Sequence, residues 1–145
     1  MLTDPLPSKH QLLQACRGAL RTNHPLLCHA NELTTLHERR LCSPPGAQDL
    51  LTTIDTDRAR LVRDIDRWVN SQLPPSPGSA RLHTETVGAV VDRLAQLTAH
   101  AYAALTAPTA DDLGTIWERL AELAVGYDDL AAELGSGRRR LPGGP

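Results

Sequence analysis

The chain has 145 residues, enough for one domain and too few for two comfortable ones. Its 41% apolar and 22% charged content is ordinary for a globular protein and excludes wholesale disorder. A net charge of −2 leaves neither a nucleic-acid footprint nor an acidic tail.

The core must be built from Leu, Ala and Val. There is no Phe, and the large aromatics are Trp68, Trp117, Tyr102 and Tyr127. Leu and Ala favour helix, whereas strands draw on β-branched and aromatic residues. The N-terminal MLTDPLPSKH lacks a basic segment followed by an apolar one, so no signal peptide is visible. No apolar run approaches the roughly 20 residues of a membrane span. Cys16, Cys28 and Cys42 form no C-x-x-C and read as buried or half-buried free thiols, which fits a cytoplasmic location.

The first helix is expected from Lys9 to Arg21, opened by a Ser8/Gln11 capping box. The second begins at Pro25, a residue suited to the first helical position, and carries Leu26, Ala30, Leu33 and Leu41 on one stripe. Ser43-Pro44-Pro45-Gly46 ends it. The third and longest runs from Ala47 to Leu73, with the seam Leu51, Ile54, Arg58, Leu61, Ile65, Trp68, Gln72 at alternating spacings of three and four. Its pairs Asp55–Arg58, Asp57–Arg60 and Asp64–Arg67 read as a solvated face.

Residues 74–80 form a Pro-rich loop between two helical hairpins. The fourth helix is expected from Val87 to Thr106 with Thr86 as N-cap. A turn at Ala107-Pro108-Thr109 and a Thr109/Asp112 capping box lead into the fifth, Ala110 to Leu134, stopped by Gly135. The expectation is therefore one all-α domain over 1–145. It is an antiparallel up-down bundle of four main helices plus a short N-terminal one, with flexible ends at 1–8 and 136–145. No strand pattern is visible.

Two features depart from bland amphipathicity. Arg58 occupies a seam position where Leu or Ile is expected, so its guanidinium either snorkels to the bundle edge or meets a carboxylate on the fourth helix. The second is the stretch His83 to Leu94. Gly88 lies in a helical first turn, where it costs up to about 1 kcal/mol relative to Ala unless a backbone or ligand approaches closely. Glu85 and Asp92 are seven residues apart and share a face if the helix starts early, with Arg93 beside them. Free amides at that helix start, with Arg58 and Arg93 near, could hold a small anion.

This stretch, with Leu97 and Tyr102, resembles the hallmark segment of a bacterial family catalogued as domain of unknown function 4254. The family pattern runs Asn-Ser-Glu-Thr-Pro-Gly, then spacers, an apolar residue and Asp-Arg-Leu. Glu85, Thr86, Gly88, Asp92, Arg93 and Leu94 match it; Thr84 stands for the serine, His83 for the Asn and Val87 for the Pro. Arg58, Leu61, Ile65 and Asp66 are similar to the preceding helix of the family, and Asp129 through Arg140 to its closing one. The resemblance spans residues 50–141, and more weakly Asn31 and Glu38. It implies a helical fold and no activity.

No metal signature stands out. His29-x-x-Glu32 reverses the order used in di-iron bundles, and His29 and His37 are too far apart for one ion. Asp92, Gln96 and His100 share a helical face without a matching set on another helix. No cofactor, metal, nucleic acid or membrane is expected. The leading expectation is a non-catalytic binding or accessory protein whose polar network joins Arg58, Glu85, Asp92 and Arg93, shaped by Thr86 and Gly88 and edged by His83 and Tyr102. Two alternatives stand beside it. One is a small enzyme of secondary or sugar metabolism using Glu85 or Asp92 as general base. The other is a homodimer through the third helix, where Leu50, Val62 and Val69 widen the apolar stripe.

Overall fold

The computed structural model describes residues 5–106 and 113–143. Five α-helices account for most of them: α1 Lys9–Cys16, α2 Pro25–Leu41, α3 Gln48–Gln72, α4 Val87–Leu105 and α5 Leu113–Gly135. The turn at Ala107–Thr109, the Thr109/Asp112 box and the expected start at Ala110 lie outside the described residues. The all-α reading holds, with two short strands added.

Local chemistry sets the ends. Ser8 Oγ accepts from Gln11 N–H at 3.2 Å while Gln11 Oε1 accepts from Ser8 N–H at 3.0 Å, the reciprocal box expected at α1. The helix stops earlier than its pattern suggests. Gly18 takes φ +74°, and Ala19 N–H donates to Gln14 O while Gly18 N–H donates to Ala15 O, a Schellman closure that ends α1 at Cys16. The same motif closes α5 two residues later than expected. Gly137, at φ +76°, is the left-handed residue, with Arg138 N–H donating to Glu133 O and Gly137 N–H to Leu134 O, whereas Gly135 is helical.

That closure turns the chain back along the loop before α4. Strands β1 Arg81–Leu82 and β2 Arg139–Arg140 pair in parallel, Arg81 opposite Arg139 and Leu82 opposite Arg140. Two-residue strands leave no alternation for a sequence pattern to reveal. At the other end, Leu6 is buried, the Tyr127 hydroxyl donates to Pro7 O at 2.7 Å, and Lys9 N–H donates to Asp128 Oδ1 at 2.8 Å.

Helix α4 is the centre of the packing. It touches α1, α2, α3 and α5, and buries Val87, Val90, Val91, Leu94, Ala95, Ala99 and Ala101. Its small residues let neighbouring helices close in around it. On α3 the buried positions are Ile54, Leu61, Ile65 and Val69 rather than the full heptad seam. A straight helix drifts about 20° per heptad against a 3.5-residue repeat, so by the last turns Val69 has replaced Trp68 as the inward residue. Val69 therefore belongs to this chain's own core and Val62 is half-buried, leaving Leu50 as the exposed member of the widened stripe.

Gly88 and Gly126 make a test of this packing. A Cβ on Gly88 would lie 2.5 Å from the Val62 carbonyl oxygen and 2.6 Å from Asp66 Oδ1, whereas one on Gly126 would meet nothing within 4 Å. Gly88→Ala is expected to destabilise by about 1–3 kcal/mol despite its better helix propensity. Gly126→Ala is expected to stabilise by about 0.5–1 kcal/mol. Thermal denaturation reads both; midpoints shifting in the same direction would contradict the close approach at Gly88.

Candidate functional site

The seam arginine finds its carboxylate. Arg58 on α3 holds Asp92 on α4 with two bonds, Nη2 to Oδ2 at 2.8 Å and Nε to Oδ1 at 3.4 Å. A guanidinium fork facing a carboxylate is the strongest pairing two side chains make without metal. His37 on α2 lies against the same carboxylate, Nε2 to Oδ1 at 2.8 Å. An ionised carboxylate only accepts, so Nε2 carries the hydrogen. Arg58 also donates through Nη1 to Asp55 Oδ1 at 2.9 Å, and Arg40 on α2 donates to Asp55 Oδ2 at 3.1 Å.

The result is one chain of contacts, His37–Asp92–Arg58–Asp55–Arg40, running from the interior to the surface across three helices. His37 is 2% exposed, while Arg40 and Asp55 are 41% and 42% exposed. Two carboxylates face two guanidiniums, so the set balances. Burial pushes the Asp92 carboxyl up, but the His37 and Arg58 hydrogen bonds and the Arg58 charge outweigh it and hold it below the usual carboxylate range. Burial pulls the Arg58 guanidinium down, and its bonds to Asp92 and Asp55 more than reverse that.

A second constellation sits at the α4 N-terminus. The Thr86 hydroxyl accepts from Ala89 N–H at 3.1 Å, the N-cap expected from sequence. Asp66 on α3 accepts from Gly88 N–H at 2.8 Å. The anion at this helix start is thus the protein's own carboxylate. Burial pushes the Asp66 carboxyl up, and the Gly88 and Thr86 hydrogen bonds only partly offset it. A recess of about 150 Å³ opens beside it, lined in part by Asp66, Asn70 and Thr86.

The expected site residues fall into three places. Arg58 and Asp92 meet in the chain of contacts. Thr86 and Gly88 sit at the α4 start against Asp66. Arg93 and Glu85 pair with each other at 2.8 Å, half-exposed at 50% and 38%, and join neither carboxylate of the inner chain. His83 folds onto the Glu85 peptide, its Nδ1 2.8 Å from Glu85 O and 3.2 Å from Glu85 N; one tautomer donates to the carbonyl and the other accepts from the N–H. Tyr102 lies ten residues beyond Asp92, roughly 15 Å along the helix, with its ring 5.5 Å from that of Trp117.

His37, Asp55 and Asp66 complete the geometry that sequence reasoning left open. The signal for His37 was present. The α2 stripe Leu26, Ala30, Leu33 continues at position 37 by the same three-four spacing, and a histidine there breaks an apolar row as Arg58 does. Among the described residues no group of three or more His, Cys, Asp or Glu is arranged to hold a metal ion. Cys16 is buried among Thr34 and Thr98, and burial pushes its thiol up to about 11, too high for a thiolate nucleophile at neutral pH. Cys28 is half-buried, and Cys42 is exposed rather than buried.

The family model described as "Protein of unknown function (DUF4254)" matches residues 47–142. The chain belongs to this family. The match takes in α3 to β2, and with them Asp55, Arg58, Asp66, Gly88 and Asp92; His37 and Arg40 come from α2, outside it. No curated protein and no solved structure matches the chain. None of the described helices is long and apolar enough to cross a membrane.

The two half-buried aspartates titrate in opposite senses, which neutral substitutions separate. The Asp92 value is depressed in the fold. Its contribution is fully present above the unfolded value near pH 4 and is lost as pH falls through the folded one. Asp92→Asn is expected to cost roughly 1–3 kcal/mol at pH 7, discounted for partial exposure, and to flatten the loss of stability on acidification. The Asp66 value is raised, so its contribution is present at low pH and is lost as pH rises through the folded value. Asp66→Asn keeps an oxygen for Gly88 N–H and is expected to leave stability at pH 7 unchanged or up to about 1 kcal/mol higher. Urea unfolding from pH 3 to 8 checks both; equal destabilisation by the two variants would refute the assignment.

Proposed function

We propose that this is a non-catalytic helical-bundle protein that acts by binding, with the His37–Asp92–Arg58 contacts serving as a clamp that fixes α2, α3 and α4 and so presents the start of α4 to a ligand. The observation that carries this reading is the state of Asp92. Its oxygens accept from Arg58 and His37 at 2.8 Å each, and its carboxyl is held below the usual range. A general base near neutrality needs the reverse, a raised value and a free lone pair toward substrate.

The groups left for recognition are Glu85 and Arg93. An ion pair this exposed is worth only about 0–1 kcal/mol, so an incoming anionic group can take Glu85's place on Arg93 at little cost. His83 lies on the same loop and edges that surface. The order of contacts, Arg58 with Asp92 and Val62 with Gly88, supports reading α3 and α4 as antiparallel neighbours in an up-down bundle.

A thermal-shift panel of small anionic metabolites, followed by NMR of the same mixtures, tests the reading. A ligand at 100 times its Kd stabilises by about 2.7 kcal/mol, on the order of 5 °C or more for this size. The expected outcome is such a shift in the wild type, unchanged metabolite spectra, and loss of the shift in Arg93→Ala with the unliganded midpoint kept. Consumption of a metabolite that stops in Glu85→Gln would replace this reading with the enzyme one.

A further inference from the structure

Away from the clamp, α1, α4 and α5 leave a surface pocket of about 240 Å³. Its walls are Tyr102 and Trp117, whose rings meet edge to face at 5.5 Å and 71°. Leu13 and Leu120 form its apolar floor, and Arg17 and His10 stand at the rim. Two of the chain's four large aromatics thus meet at a surface pocket, and such rings suit a site with one apolar and one wet side. Tyr102 is 39% exposed, whereas Tyr127 is fully buried and Trp68 and Trp117 are half-buried against the core.

The charge at the rim is unspent. Among the described residues Arg17 and His10 form no ion pair, so an anion arriving there displaces none. Arg17, the C-cap residue of α1, is exposed at the pocket mouth. We propose that this pocket binds a small organic anion with a planar ring, the ring lying against Tyr102 and Trp117 and the carboxylate taken by the Arg17 fork.

Size sets the scale of the ligand. Pockets for drug-sized molecules run from about 300 Å³ upward, so one of this volume takes one or two fused rings. Ring packing supplies apolar contact, and the guanidinium supplies a bidentate anion bond at the mouth, where the ligand's charged end stays near water. The pocket shares no residue with the Glu85/Arg93 surface, so failure of either reading leaves the other standing.

Titrating the full chain with 2-naphthoate, observed at the two tryptophan indole N–H signals by ¹H–¹⁵N NMR, tests the proposal. The Trp117 signal is expected to shift saturably while the Trp68 signal stays. The neutral 2-naphthamide should bind at least about tenfold more weakly, and so should 2-naphthoate to Arg17→Ala. Tyr102→Ala, at an exposed helix position, should abolish saturation with the circular dichroism spectrum kept. No Trp117 shift at millimolar probe, equal binding of the amide, or unchanged binding in both variants would each overturn it. So would a Trp117 signal that moves with protein concentration alone, which would assign this face to a second copy of the chain.

Discussion

The fold turns on one carboxylate. Asp92 projects from the helix that every other helix touches, and it accepts from α2 through His37 and from α3 through Arg58. Leucine packing drives these helices together and sets which face turns inward, but it fixes their register only loosely, because apolar contact is non-directional. A fork-to-carboxylate bond and an imidazole bond on the same group fix that register. Sliding α3 by one turn would break two bonds to Asp92 and leave a half-buried charge unmatched, a cost that leucines sliding over one another do not incur.

The clamp and the close approach at Gly88 belong together. Arg58 and Val62 are one turn apart on α3, as Gly88 and Asp92 are on α4. The absence of a side chain at 88 lets the Val62 carbonyl come in. That proximity brings Asp66 within reach of the Gly88 amide and Arg58 within reach of Asp92. The desolvation of Asp66, which raises its carboxyl, follows from the same approach: to cap α4 it must enter a crevice that a Cβ would have held open.

Much of this was legible in the residues. Helix number, most boundaries and the N-cap at Thr86 follow from period, proline and capping chemistry, which act over a few residues. Arg58 announced itself by interrupting an apolar row. The ends that differed did so through glycines whose role is conformational: Gly18 and Gly137 stop their helices by adopting positive φ, and at α5 composition cannot say which of Gly135 and Gly137 does so. Strands of two residues have no period to read. Asp92 could be paired with Arg58 on chemical grounds, but its second partner required knowing that α2 lies against α4 at that level. Glu85 and Arg93 looked like members of the same cluster because a helix wheel projects them nearby. The difference is depth: they project from the rim, where water competes for their bonds.

Depth also separates the parts of the molecule that hold from those that can exchange. The inner chain of contacts is balanced in charge, and its inner members His37, Asp92 and Arg58, if freed, would be left buried or half-buried without a partner. Glu85–Arg93, Arg17 and His10 are on the other side of that divide, where giving up a contact costs little. Asp66 lies between the two classes: it is half-buried and bound to the Gly88 amide, and that same burial raises its carboxyl.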